Sequence, residues 1–112
     1  MIVNGPAYGA DETFNALRLA DALSRRDDAH VTVFLMGDAV TCAVAGQQTP
    51  DGYYKLDRML ATIARHGGRI ACCGTCLDAR GFTEQLLIPE APRSSMAELA
   101  GWTVEADLVL TF

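Results

Sequence analysis

The sequence predicts an α/β domain built on a mostly parallel sheet of four to five strands with helices on both faces. Short apolar, β-branched runs alternate with stretches of helical periodicity, which is how βαβ units read in a sequence. The run Val31-Thr32-Val33-Phe34-Leu35-Met36 is apolar almost throughout, as a strand covered on both faces must be. Turn or capping residues stand at nearly every junction between the two kinds of segment.

Met1-Ile2-Val3 is a first, very short strand closed by Asn4-Gly5-Pro6. Asp11 is placed to cap a helix in which Ala16, Leu19, Ala20 and Leu23 share the apolar face and Arg18, Asp21 and Arg25 the polar one. Gly37-Asp38 ends the second strand, and Asp38 can cap a short helix from Ala39 to Ala45. Gly46 to Lys55 is polar and contains Pro50-Asp51-Gly52, the composition of an exposed loop. Leu56, Met59, Leu60, Ile63 and Ala64 form a helical stripe, with Gly67 where a C-cap belongs. Arg69-Ile70-Ala71-Cys72 reads as the third strand. Phe82 to Ile88 fits either a helix or a short strand, and Pro89 and Pro92 break it. Ser95-Met96-Ala97-Glu98 has the pattern of a capping box and opens a helix to about Val104, followed by a last strand over Ala106 to Leu110.

With 112 residues, residues 1–112 are expected to form one domain around one core. The longest apolar runs are far too short for a membrane span, and no secretory pattern opens the chain, so a cytoplasmic protein without a membrane partner is expected. A net charge of −5 with scattered basic residues argues against nucleic acid. Gly5-Pro6-Ala7-Tyr8-Gly9 lacks the lysine and hydroxyl of a P-loop and the spacing of a dinucleotide fingerprint, so no nucleotide, flavin or other cofactor is expected.

Three of the four cysteines fall in Cys72-Cys73-Gly74-Thr75-Cys76, where the third strand ends and a helix begins. Amide donors at such a junction favour thiolate over thiol. In a reducing compartment, cysteines at this density point to catalysis, redox chemistry or metal binding rather than structural disulfides. A zinc site would need two ligands beyond Cys73 and Cys76, and Cys42, Cys72, His30 and His66 stand at no familiar second-pair spacing; no metal is expected. Two thiol readings remain: a redox pair, and sulfur relay, in which one thiolate takes a sulfane sulfur and passes it on by exchange chemistry. Cys73 should close the strand at the mouth of the crevice while Cys72 points to the other face. Asp78 and Arg80 act on these thiols with opposite signs. Cys42 is expected in the core, His66 at a helix end, Trp102 at the core edge, and Tyr53 and Tyr54 at a subunit contact that orders their loop.

The segments Asn4-Gly5-Pro6-Ala7-Tyr8-Gly9, Phe34-Leu35-Met36-Gly37-Asp38-Ala39 and Cys73-Gly74-Thr75-Cys76-Leu77-Asp78-Ala79-Arg80-Gly81 together resemble the DsrE/DsrF/TusD-like sulfur-relay family over essentially the whole chain. The resemblance implies a doubly wound, flavodoxin-like α/β subunit that forms a homo-oligomer, trimeric or hexameric. It also implies sulfane sulfur carried as a cysteine persulfide in the cytoplasm, between donor and acceptor proteins, in a relay or a sulfur-oxidation or sulfur-reduction pathway. Whether such a carrier counts as an enzyme, a sulfurtransferase, is left open by the residues. Relay members place a cysteine ahead of an Arg-Gly pair, and counting back from Arg80-Gly81 matches it to Cys73. Cys76 has no required counterpart in that pattern, so a thiol-disulfide oxidoreductase or redox sensor using Cys73 and Cys76 is the alternative, and a non-catalytic interaction subunit the third.

Overall fold

A computed structural model describes residues 1–112. Four parallel strands, β1 (Ile2–Val3), β2 (Thr32–Leu35), β3 (Arg69–Cys73) and β4 (Arg93–Ser94), lie side by side in chain order. Helices α1 (Asp11–Ser24) and α2 (Leu56–Arg65) fill the first two crossovers and pack against each other. A single turn, α3 (Gly74–Asp78), follows β3 directly, and α4 (Met96–Glu105) follows β4. After α4 the chain crosses back to β1: Ile2 N–H donates to Leu110 at 2.8 Å, Phe112 N–H to Ile2 at 2.9 Å and Asn4 N–H to Phe112 at 2.8 Å. The order is therefore last segment, β1, β2, β3, β4, with a reversal of direction at β1, which makes the sheet doubly wound as expected.

Register assigns the faces. Val3, Leu35 and Cys72 are cross-strand partners on one face, while Ile2, Phe34 and Ala71 are partners on the other. Phe34 meets the Trp102 ring of α4 edge-on at 5.9 Å, so α4 covers the second face. Arg69, in line with Phe34 along the pleat, lies 4.6 Å over the same indole. Val3, Leu17, Val33, Leu35, Leu56, Leu60 and Ile63 are fully buried and form the centre of the core.

Several local expectations need correction. Asp11 is the first helical residue of α1 and Ala10 the uncapped N-cap; the Asp11 carboxylate supports the helix through the dipole and not as a cap. Leu17 is buried and Leu19 is exposed, because the buried face of α1, Thr13, Ala16, Leu17, Ala20 and Ser24, is rotated from the one the spacing suggested. The segment after β2 is a 3₁₀ helix, Gly37–Ala43, begun by Gly37 at φ +53° with Met36 as N-cap; Asp38 does not cap it. Phe82 to Ile88 is mainly neither helix nor strand, holding one 3₁₀ turn, Glu84–Leu86, and a bridge from Leu87 to Val44. β4 was not foreseen, since two residues between prolines and a capping box carry no periodicity. The final pairing is made by Leu110–Phe112 and not by Ala106–Leu110, because α4 runs on to Glu105.

Two helix ends lie where the pattern puts them, the second with only the Ser95 half of its capping box. Gly67, at φ +89°, donates to Ala64 at 2.9 Å while Gly68 donates to Ile63 at 3.0 Å, the paired bonds of a Schellman ending to α2. Ser95 Oγ accepts from Glu98 N–H at 3.2 Å, and the Glu98 carboxylate takes the Ser94 hydroxyl at 2.5 Å. The Gly46–Lys55 loop carries a set of bonds within the chain. Gln47 Nε2 donates to the carbonyls of Cys42 (2.9 Å) and Val44 (3.0 Å), its Oε1 accepts from Tyr8 and Leu56, and Asp57 accepts from the amides of Gly46 and Gln47. Tyr54 stacks on Phe14 with ring centroids 3.8 Å apart, leaving only Tyr53 facing outward.

Gly74 joins β3 to α3 where backbone passes close. A Cβ there would lie 2.8 Å from the Ser94 carbonyl oxygen and 2.9 Å from Arg93 Nε. Gly74→Ala is expected to destabilise the fold by about 1–3 kcal/mol through overpacking, read as a lower denaturation midpoint with unchanged m-value.

Candidate functional site

Parallel pairing brings the carboxyl ends of β1 to β4 to one edge, and the loops there form the crevice of an open α/β sheet. Two of the sequence-predicted site residues meet in it. Cys73 is both the last residue of β3 and the N-cap of α3, and Cys76 lies within the single turn that follows. Their Sγ atoms are 2.7 Å apart, with the Cys76 thiol donating to Cys73. Thr75 Oγ1 stands 3.3 Å from Cys73 Sγ. Both cysteines are free.

The surroundings act on the two thiols in opposite directions. Burial alone would push Cys73 up, but hydrogen bonds from the Cys76 thiol, the Thr75 hydroxyl and the amides of Cys76 and Thr75 outweigh it and leave the pKa below the ordinary thiol value. Burial and its donation to Cys73 raise Cys76, opposed by the Gly37 amide and the nearby Arg80 charge. A turn this short carries little macrodipole, so the thiolate is stabilised by individual donors. Cys73 is only 4% exposed and sits behind the more open Cys76.

The second strand end also reaches this pair. The Gly37 N–H points at Cys76 Sγ across 3.2 Å. Arg80 ties the two segments together, donating through Nη1 to the Cys76 carbonyl at 2.9 Å and through Nη2 and Nε to Asp38 Oδ1 at 2.5 and 3.2 Å. Asp38, expected as a helix cap, is thus the partner of Arg80. Asp78 is held by both Arg93 nitrogens at 2.7 Å, which keeps its carboxyl below the usual range. The two charges expected to oppose each other act unequally: Asp78 is taken up by Arg93, whereas Arg80, though paired with Asp38, still acts to lower the Cys76 thiol. Gly37 and Thr75 were not singled out as donors, and no residue pattern signals a backbone amide aimed at a distant sulfur.

The other two cysteines stand apart. Cys72 and Cys42 are fully buried on the opposite face of β3, and burial pushes both thiols up to about 12. His66 lies at the end of α2, 3.7 Å from Asp21 and away from any cysteine. No cluster of three or more His, Cys, Asp or Glu is arranged to hold a metal. No helix is long and apolar enough to cross a membrane.

Comparison with known proteins extends over the same residues. The family model described as DsrE/DsrF-like matches residues 1–112. Protein YchN of Escherichia coli is 39% identical, the alignment covering 100% of this chain and 96% of YchN. An uncharacterized protein of Methanopyrus kandleri is 30% identical, with 100% of this chain and 91% of that protein covered. The crystal structure of the E. coli ychN protein superposes with a TM-score of 0.91 at 41% identity, over 99% of this chain and 96% of that one.

The geometry separates the four thiols by reactivity. Iodoacetamide titrated across pH should modify Cys73 first in the native protein, with an apparent pKa below the ~8.5 of free cysteine, while Cys42 and Cys72 stay unmodified until the chain unfolds. Peptide mapping checks the order, and first labelling at Cys72 or Cys76 would contradict the assignment.

Proposed function

The chain belongs to the DsrE/DsrF-like family, and from that premise we propose that it is a sulfur-handling protein in which Cys73 carries sulfane sulfur as a persulfide. The observation that supports this reading is the Cys73 sulfur at the sheet's carboxyl edge, in contact with the Cys76 thiol and the Thr75 hydroxyl, whose hydrogen bonds together with the amides of Thr75 and Cys76 draw its pKa down. A thiolate attacks the outer sulfur of a donor persulfide and expels the donor's own thiolate. The new Cys73 persulfide then yields its outer sulfur to an acceptor thiol by the same exchange. Cys76 supplies the hydrogen bond that favours the anion, and Gly37 and Arg80 hold Cys76 in place. The partners are sulfur donor and acceptor proteins of the cytoplasm. The contact between the two sulfurs favours a second reading, thiol-disulfide exchange through a Cys73–Cys76 bridge.

Assembly into a homo-oligomer belongs to the same proposal. α1 and α2 share one face of the sheet, whereas α4 alone covers the other. Only Leu99 of α4 is buried, and Val104 and Leu108 are 87% and 71% exposed beside a cleft of about 500 Å³ lined by Phe34, Trp102 and Leu110. A second copy of the chain is the occupant this face supports, since self-association buries one patch on both subunits.

Two measurements test these readings. After exposure to a persulfide donor, intact mass of the Cys76→Ala chain should show one added sulfur bound through Cys73, lost on reduction, absent when Cys73→Ser is combined with it and unaffected when Cys42→Ser is combined with it. Val104→Asp with Leu108→Asp should lower the mass found by light scattering while leaving the circular dichroism unchanged, because both side chains are already solvated in the single subunit; an unchanged mass, or a monomeric parent, would count against α4 as the contact.

A further inference from the structure

Carrying sulfur requires one thiol, and this site holds two in contact. The second is not spare packing. Cys76 is half-buried, its sulfur is 2.7 Å from Cys73 Sγ, and a backbone amide from another strand end is directed at it across 3.2 Å. We propose that the Cys73–Cys76 pair reduces the sulfane sulfur it accepts and releases it as sulfide, an inference that rests on the persulfide reading above.

The reaction has two steps. In the first, the Cys73 thiolate attacks the outer sulfur of a donor persulfide RS–SH; the donor's S–S bond breaks, RS⁻ departs, and Cys73 becomes Cys73–S–SH. In the second, Cys76 gives its proton to RS⁻, forming RSH, and the Cys76 thiolate attacks Cys73 Sγ. The new bond is the Cys73–Cys76 disulfide, the bond broken is that to the outer sulfur, and the leaving group is HS⁻. Two electrons pass from the two cysteines to the sulfane sulfur. An external dithiol then reduces the disulfide by ordinary exchange and closes the cycle.

Geometry favours attack on the inner sulfur over relay to Cys76. The inner sulfur is the one Cys76 already touches, whereas the outer sulfur of the persulfide lies farther off by one S–S bond, about 2 Å. Hydrosulfide is also a weaker base than an alkyl thiolate and so the better leaving group. Holding nucleophile and target together gives the internal step a large advantage over collision with a free acceptor thiol. The Gly37 N–H and the Arg80 guanidinium on the Cys76 carbonyl are placed to offset the charge that develops on Cys76 as it deprotonates. They act as positioning groups for the second step, and enter the first only by holding Cys76 against Cys73.

The test uses the whole reduced chain, freed of reductant and given one equivalent of glutathione persulfide, with sulfide assayed and intact mass followed in time. The expected result is about one sulfide per chain, released in step with a loss of two hydrogens, as the stoichiometry of exchange requires. Cys76→Ser and Cys76→Ala should instead retain the added sulfur and release at least about tenfold less sulfide, the internal nucleophile having been removed. Should either variant fail to fold, the coincidence of sulfide and disulfide in the parent chain still decides the matter. A parent chain that keeps the added sulfur, with neither sulfide nor disulfide formed, would overturn the release step while leaving persulfide carriage intact. A parent and variants that take up no sulfur would overturn both.

Discussion

Adjacent cysteines at 72 and 73 have opposite chemical fates because β3 is pleated and paired on both sides. Successive side chains of a strand must face opposite ways, and pairing with β2 and β4 leaves no freedom to slip. Cys72, in register with Leu35, is therefore committed to the core beside Cys42. Cys73, one residue later, closes the strand at the open edge and turns directly into α3. A shift of the pairing by one residue would exchange their roles and separate the reactive sulfur from Cys76. The core and the site are thus fixed by the same ladder of backbone hydrogen bonds.

Around the sulfur pair, full charges are matched among themselves. Asp78 is taken up by Arg93, and Arg80 by Asp38. What remains for the thiolate is a set of short, mostly neutral donors. Such interactions are less sensitive to salt than an exposed ion pair, because they depend on contact rather than on a long-range field. The Asp38–Arg80 link has a further consequence: it ties the end of β2 to α3, so the Gly37 amide stays on Cys76 only while both segments hold their places.

Much of this architecture was legible in the residues, and the parts that were not share a cause. Strands and helices with strong periodicity, such as Val31–Met36 and the stripe from Leu56 to Ala64, appear close to where the pattern puts them. Gly67 and the Ser95–Glu98 pair mark helix ends because a left-handed turn and a capping hydroxyl are local needs. Short elements fixed by distant contacts escaped: β4 exists because it pairs with Cys72 and Cys73, and the last pairing depends on where α4 happens to stop. At the site, the approach of Cys73 to Cys76 follows from three-residue spacing on a helical turn, whereas the arrival of Gly37 and Asp38 from another strand end leaves no trace in spacing. Asp38 illustrates the limit, since a capping aspartate and an arginine partner look the same in a sequence.

The central claim is that Cys73 ionises more readily than an ordinary cysteine, and that the Cys76 thiol makes it so. Ultraviolet thiolate absorbance across pH, recorded for the reduced parent chain, Cys73→Ser and Cys76→Ala, tests it most directly. The account predicts a step of one thiolate below the free-cysteine pKa of about 8.5, absent in Cys73→Ser and moved to higher pH in Cys76→Ala, whose residue 76 has no side-chain donor for Cys73. A parent chain with no such step, or a step that survives Cys73→Ser, would contradict it.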